Sequence, residues 1–142
     1  MRYQIVITVL IILLPVYVLA DIVVVVNPNS GIAELTRHQI IDIYMGRNPG
    51  IKKGQVLQPF DHPLNSVVRA EFYYKTTGKP ASVINAYWAR LLFTGRASPP
   101  RLVEDNKAML KTVRENPAAI GYLEQKYLNE HVTVVYTLEN NE

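Results

Sequence analysis

Residues Ile22–Val26 read Ile-Val-Val-Val-Val and are followed at once by Asn27-Pro28-Asn29-Ser30-Gly31. No other run limits the fold more. Five consecutive β-branched residues crowd a helix and suit an extended strand. A half-exposed strand alternates apolar and polar positions, because successive side chains point to opposite faces. This one does not alternate, so both its faces need cover, as in a sheet with helices on each side. The turn formers that follow end it abruptly.

The chain beyond it continues to alternate between strand and helix patterns. Thr36 and Gln39 have capping-box spacing, and Ile40, Ile43 and Tyr44 form a helical stripe that Gly46 closes. Val56–Phe60 predicts a short strand whose Pro59 puts its far end at an edge or exit. Asn65 and Ser66 can each cap a helix running to about Lys75, with Val68 and Phe72 on one face. Thr76–Pro80 then breaks the chain. Ser82 is expected to cap the next helix, with Ile84, Trp88, Leu91 and Leu92 facing the core. After a turn-rich loop at Gly95–Arg101, Glu104 or Asp105 starts a helix with Met109, Leu110 and Val113 inward, stopped by Asn116-Pro117. Ile120–Leu123 predicts a strand, Glu124–Asn129 a helical turn, Val132–Leu138 a last strand, and Glu139–Glu142 a frayed tail. With no repeat and no linker, this order predicts one α/β domain with a largely parallel sheet.

The N-terminal segment Met1–Ala20 follows a different logic. It carries one charge, Arg2, then the apolar run Ile5–Leu14 broken only by Thr8, then Pro15 and Val18-Leu19-Ala20. A positive start, an apolar centre and small residues at the −3 and −1 positions read as a cleavable secretory signal. Cleavage after Ala20 leaves a domain over 21–142, about 120 residues, enough for one real core. Read as one segment, Ile5–Val26 is long enough to anchor the chain, but Pro15 and Asp21 interrupt it. The expected destination is a bacterial periplasm, and no later segment approaches the roughly 20 apolar residues that span a bilayer. The formal charge of +3 includes Arg2 and is spread along the chain, which gives no electrostatic case for nucleic acid. With no Cys there is no disulfide framework, thiolate metal site or lipid-modified cysteine.

Catalytic patterns are lacking. His38, His62 and His131 are scattered without a metal-ligand spacing such as HExxH, and the sequence has no GxSxG, GxxxxGK[ST] or GxGxxG. No enzyme activity, metal or cofactor is expected. Asp61-His62 reads as a turn before a helix, with His62 half exposed. The best candidate site is the passage from Val56–Phe60 through Asp61–Asn65 into the helix at Ser66. The first amides of a helix lack intrahelical partners, and the macrodipole adds positive potential, so such an end holds phosphate, sulfate or carboxylate. Ser66 adds a hydroxyl and Arg69 a forked cation suited to oxyanions. His62, Asn65, Ser66, Val67 and Arg69 form the candidate oxyanion set. Arg47 and Arg96 follow glycines at helix ends and read as local partners of the helix dipole. Tyr87 and Trp88 read as core, and Tyr73-Tyr74 as one packed and one exposed ring.

Three ordered segments carry a resemblance. They are Leu35-Thr36…Ile40-Ile41-Asp42-Ile43-Tyr44-Met45-Gly46-Arg47, Asn65-Ser66…Arg69…Phe72-Tyr73, and Ala118-Ala119-Ile120-Gly121-Tyr122-Leu123. Together the chain resembles the phosphate-binding proteins of bacterial ABC transporters, which have the type II periplasmic binding-protein fold. Tyr87–Gly95 is similar to a segment of short secreted proteins of that kind. The resemblance covers nearly all of Ile22–Leu138 and implies a solute-binding protein reduced to a single lobe. It also implies a phosphate loop of approximate pattern Arg-x-Asp-x-Ser-Gly-Thr, at positions that here hold His62, Leu64, Ser66, Val67 and Val68. Only the serine matches, so the implied oxyanion binding is weak. Two readings follow: a secreted phosphate- or oxyanion-binding module accessory to uptake or sensing, or an interaction module that contacts an envelope protein or a second copy of itself.

Overall fold

The computed structural model describes residues 11–15, 21–48, 51 and 54–139. The leader expected over Met1–Ala20 falls outside them apart from 11–15, as do residues 140–142 of the expected frayed tail.

The described strands are β1 (Ile22–Val26), β2 (Gln58–Asp61), β3 (Arg101–Leu102), β4 (Ala119–Glu124) and β5 (Thr133–Leu138). They form one sheet in the order β3-β2-β4-β1-β5. β2 pairs in parallel with β3 and β4, whereas β1 is antiparallel to both β4 and β5. Four strands therefore share one direction and β1 alone opposes them. The sheet is mainly parallel, and the run that most suggested it is its exception. Coverage on both faces, not strand direction, is what the unbroken apolar run records.

That coverage is complete, with every residue of β1 at most 1% exposed. Ile22, Val24 and Val26 face a core built with Ile40, Ile43, Phe72, Tyr73, Ile84 and Trp88. Val23 and Val25 face a second core with Met109, Val113 and Leu123. The first core lies under α1 (Arg37–Tyr44), α2 (Val67–Thr77) and α3 (Ala81–Phe93), and the second under α4 (Asn106–Glu115).

Local chemistry sets the element ends. Thr36 and Gln39 close the expected capping box on α1, through bonds of 3.1 Å and 2.9 Å. Gly46 follows at φ +71°, where a Cβ would stand 2.8 Å from Trp88 Cη2. Glycine is needed there both for the left-handed turn and for the close approach of the indole. In β4, a Cβ on Gly121 would collide with Met109 Sδ and reach 3.0 Å from Val113 Cγ2. The missing side chain lets α4 settle on the sheet.

Several boundaries differ from expectation. β2 starts two residues later than predicted and lies inside the sheet, with Pro59 paired to Ile120. The Gln58 amide donates to Ala118 O on the β4 side, so the alternating Pro59 nitrogen faces the other way. There β3 begins only opposite Phe60, and no ladder bond is lost to the proline. α2 runs on to Thr77 and ends at Gly78, at φ +73°. Thr76 stays helical by donating its hydroxyl back to Phe72 O at 2.8 Å. α3 starts at Ala81 after Pro80, without a side-chain cap, so Ser82 lies inside the helix. Of its four expected core residues Ile84 and Trp88 are buried, Leu91 packs partly, and Leu92 is exposed. Asp105 caps α4 through the Ala108 amide at 2.8 Å.

Candidate functional site

β2 delivers Asp61 into the interior, where it is 1% exposed. Its carboxylate accepts from four donors: the Tyr73 hydroxyl at 2.7 Å, the Tyr122 hydroxyl, Arg69 Nε at 3.2 Å and the His62 amide at 2.8 Å. Arg69 and Tyr73 reach it from one face of α2 because they stand four residues apart. The guanidinium also lies over the Tyr73 ring, 4.9 Å from its centroid. Tyr122 arrives from β4 and stacks on Phe72 at 3.7 Å between ring centroids. Tyr44 completes the layer by donating to Phe60 O at 2.9 Å. Burial first, and then the negative charge of Asp61, push the hydroxyls of Tyr44, Tyr73 and Tyr122 well above the ordinary tyrosine range. All three remain protonated donors at neutral pH.

Arg69 was expected to serve as a forked cation for an oxyanion at the start of α2. It is instead 2% exposed and ion-paired with Asp61, with Nε 3.2 Å from the carboxylate. His62 is also not half exposed, at 1%. Its Nε2 lies 2.8 Å from Tyr122 O, and a carbonyl only accepts, so Nε2 carries the proton. Burial lowers its pKa, against the opposing effects of that bond and of Asp61. A neutral ring bonded to the sheet supplies no positive charge to an anion.

The other candidates stand at the mouth of α2. Ser66 caps the helix by accepting the Arg69 amide at 3.2 Å. The amides of Val67 and Val68 have no partner among the described residues. Val67 is 73% exposed, and Asn65 beside it is exposed as well. Asn65, Ser66 and Val67 therefore gather at one open helix end, while Arg69 turns inward and His62 turns to the sheet.

Behind that mouth lies a cavity of about 260 Å³, between α2, α3 and the ends of β2 and β3. Asp61 and Arg69 line it from one side, Asn85 and Trp88 from α3, and Leu64, Leu92 and Leu102 around the opening. Arg69 Nη1, Asn85 Oδ1 and Trp88 Nε1 are buried without a hydrogen-bond partner among the described residues, and all three residues line this cavity. Sequence reasoning missed Asn85 and assigned Trp88 to the core alone. Asn85, Trp88, Ala89 and Leu92 follow i, i+3, i+4, i+7 spacing, so Asn85 is the one polar residue on a shared, otherwise apolar helix face.

The remaining singled-out residues fall where local chemistry places them. Arg47 pairs with Asp42 at 3.1 Å across the end of α1. Tyr87 donates to Met45 O at 2.7 Å. Tyr73 is fully buried and Tyr74 is 64% exposed. Among the described residues no group of three His, Asp or Glu could hold a metal. Also among them, no helix is long and apolar enough to cross a membrane.

No protein-family model matches the chain, and neither does any curated protein. Solved structures do. The chain is similar to an ABC-type phosphate transport receptor from Vibrio cholerae, at 21% identity and a TM-score of 0.63, over 82% of this chain and 46% of that one. A phosphate ABC transporter substrate-binding protein from Clostridium perfringens, solved with bound phosphate, matches at 20% identity and a TM-score of 0.60, over 82% and 45%. PstS from Borrelia burgdorferi matches at 12% identity and a TM-score of 0.51, over 82% and 47%. The chain thus shares the α/β fold of these structures. It spans less than half the length of these structures, which corresponds to a single lobe.

Proposed function

We propose that this chain is a binding module, not an enzyme, that holds phosphate or a similar oxyanion weakly at the mouth of α2. In this reading Met1–Ala20 is a cleaved signal, residues 21–142 form the mature periplasmic domain, and the protein is accessory to phosphate uptake or sensing. The observation that carries the reading is the pair of unpartnered amides at Val67 and Val68, beside Ser66, on a fold shared with proteins whose names specify phosphate. Helix dipole and open amides together favour an anion there. The Arg69 charge behind them is already matched by Asp61, so the site is near neutral and the affinity low. Each absent partner of a buried oxyanion costs about 1–3 kcal/mol. That moves a micromolar site towards millimolar. Calorimetry and thermal unfolding with phosphate test the reading, since ligand at about 100 times Kd adds about 2.7 kcal/mol of stability. No heat and no thermal shift at about 10 mM phosphate would refute it.

A second reading is favoured by the exposed apolar rim at the cavity opening. Leu64, Leu92 and Leu102 are 57%, 57% and 52% exposed, and Phe93 next to Leu92 is 93% exposed. In this reading the face docks on an envelope protein or a second copy of the chain. Light scattering at low micromolar concentration separates the two, because a strict monomer that captures no envelope partner excludes the docking reading.

A further inference from the structure

The apolar N-terminal segment joins the domain at the end of the sheet that carries the exposed leucine rim. β2 and β3 are parallel and finish together, with Asp61 paired to Leu102. β4 runs with β2, and β1 runs against β4 with Ile22 opposite Glu124, so β1 starts where β2 and β3 finish. In the order β3-β2-β4-β1, that start lies three strand spacings from β3, about 14 Å. Asp21 precedes it, and before that comes the apolar run Ile5–Leu14. Read as a signal or as an anchor, that run enters a bilayer. Residues 15–21 extend at most about 25 Å. While the leader is attached, this end of the sheet is therefore held close to lipid.

The α3 side of that end is apolar and cationic. Leu64, Leu92 and Leu102 surround the cavity opening, and Phe93 stands exposed beside Leu92. Arg90 shares a helix face with Phe93, Arg96 follows the end of α3, and Arg101 precedes Leu102. These three arginines are exposed and form no ion pair among the described residues. Between Glu71 and Glu104 the sequence holds no Asp or Glu, so a small overall charge is unevenly signed here. Acids at this end of the sheet gather on the other side, where Asp105 caps α4 and the Glu124 amide donates to Asn106 Oδ1 at 3.2 Å.

We infer that the α3 side of this sheet end docks on the surface of an anionic bilayer, with Leu92 and Phe93 entering the headgroup boundary and Arg90, Arg96 and Arg101 among the lipid phosphates. Large apolar side chains interspersed with cations suit such an interface, and guanidinium forks suit its phosphates. A second copy of the chain suits the face badly, because a two-fold contact sets like arginines near one another. The inference gives to lipid the face that the docking reading gives to a protein. It rests on the leader reading of Met1–Ala20 for its choice of occupant and is independent of the oxyanion reading.

The chain has no cysteine, so a single one can be introduced and labelled cleanly. The test expresses the whole chain with Thr94→Cys, next to Phe93, or with Lys111→Cys, exposed on α4, and attaches a polarity-sensitive fluorophore. Vesicles are phosphatidylcholine alone or mixed equally with phosphatidylglycerol, with and without a nitroxide quencher on the acyl chains. With anionic vesicles the label beside Phe93 should shift to the blue and be quenched, and the label on α4 should do neither. Arg90→Ala, Arg96→Ala and Arg101→Ala should each lower the docked-to-free ratio about fivefold, and Phe93→Ser about tenfold. All four positions are exposed, and circular dichroism confirms that the variants fold. No response beside Phe93 overturns the inference, as does an equal response to neutral and anionic vesicles, an equal response from the α4 label, or an undiminished response in a variant lacking all three arginines. A response that grows with protein concentration in the absence of lipid gives the face to a second copy and also overturns it. Intact mass reads the leader separately: loss of residues 1–20 marks a signal and retention in vesicles an anchor. A full-length chain that stays in solution refutes the leader reading, while the label beside Phe93 still decides the docking.

Discussion

Asp61→Asn exchanges one oxygen for an amide group at the centre of the buried cluster. Arg69 Nε stands 3.2 Å from the carboxylate, and the two side chains are 3% and 2% exposed. Neutralising one partner leaves the other charged and dehydrated, which costs about 3–5 kcal/mol. The new amide nitrogen also turns a donor towards a tyrosine hydroxyl that previously donated to the carboxylate. A lost bond to a charged group is worth about 1.5–3 kcal/mol, but it belongs to the same network and does not simply add. We expect a total of about 3–5 kcal/mol. Against a typical domain stability of about 5–15 kcal/mol this is a large fraction. Urea unfolding measures it: with m near 1–3 kcal/mol per molar, the midpoint should fall by about 1 M or more. Tyr73→Phe, which leaves Asp61 three of its four donors, should cost less, about 1.5–3 kcal/mol. Adding Arg69→Met to Asp61→Asn removes the stranded cation, so the double variant should fall well short of the sum of the singles. A change within about 0.5 kcal/mol for Asp61→Asn, or strict additivity in the double variant, would refute a coupled buried pair.

Three further outcomes follow from the same structure. Gly46→Ala should destabilise by about 1–3 kcal/mol, read by thermal or urea unfolding, because a Cβ there is strained at φ +71° and meets Trp88. The tyrosines of the buried cluster have folded pKa values raised above the unfolded value of about 10. Their contribution is therefore complete below about pH 10 and is lost as pH rises towards the folded values, by about 1.4 kcal/mol per pH unit for each ring. Urea midpoints measured between neutral and strongly alkaline pH should show this loss, and Tyr44→Phe should make it shallower. His62 shows the opposite sign: its folded pKa is lowered, so its contribution is present above about pH 6.5 and is lost as pH falls through the folded value. Its ring resonances should titrate at a lower pH than those of a free imidazole.

The sequence made the fold legible wherever one pattern had one solution. The pure β-branched run could only be a strand covered on both faces, and Thr36 with Gln39 could only begin a helix. Strand direction was not legible, because β1 buries the same side chains whether its neighbours run with it or against it. Pro59 misled for a local reason, since its missing N–H faces the side of β2 where β3 begins only opposite Phe60. Leu92 misled in the opposite way, as its helical spacing marks a cavity opening and not a core. Of the candidate site, the Ser66 cap at the start of α2 was legible, because capping chemistry is local. The direction of Arg69 was not, since it depends on Asp61 reaching the end of β2 from outside the helix. Asn85 escaped notice because one polar residue on an apolar stripe acquires meaning only when the opposite wall of the cavity is known.

The central claim is that this single-lobe fold presents an anion site at the open end of α2. Its most direct test is a phosphate titration followed through the backbone amides of Val67 and Val68 by heteronuclear NMR. The account predicts saturable downfield shifts of those two amides, with millimolar affinity, and a weaker response in Ser66→Gly, which removes the hydroxyl while tolerating the cap. Val67 and Val68 amides that stay unmoved at about 10 mM phosphate, in a protein shown to be folded, would contradict it.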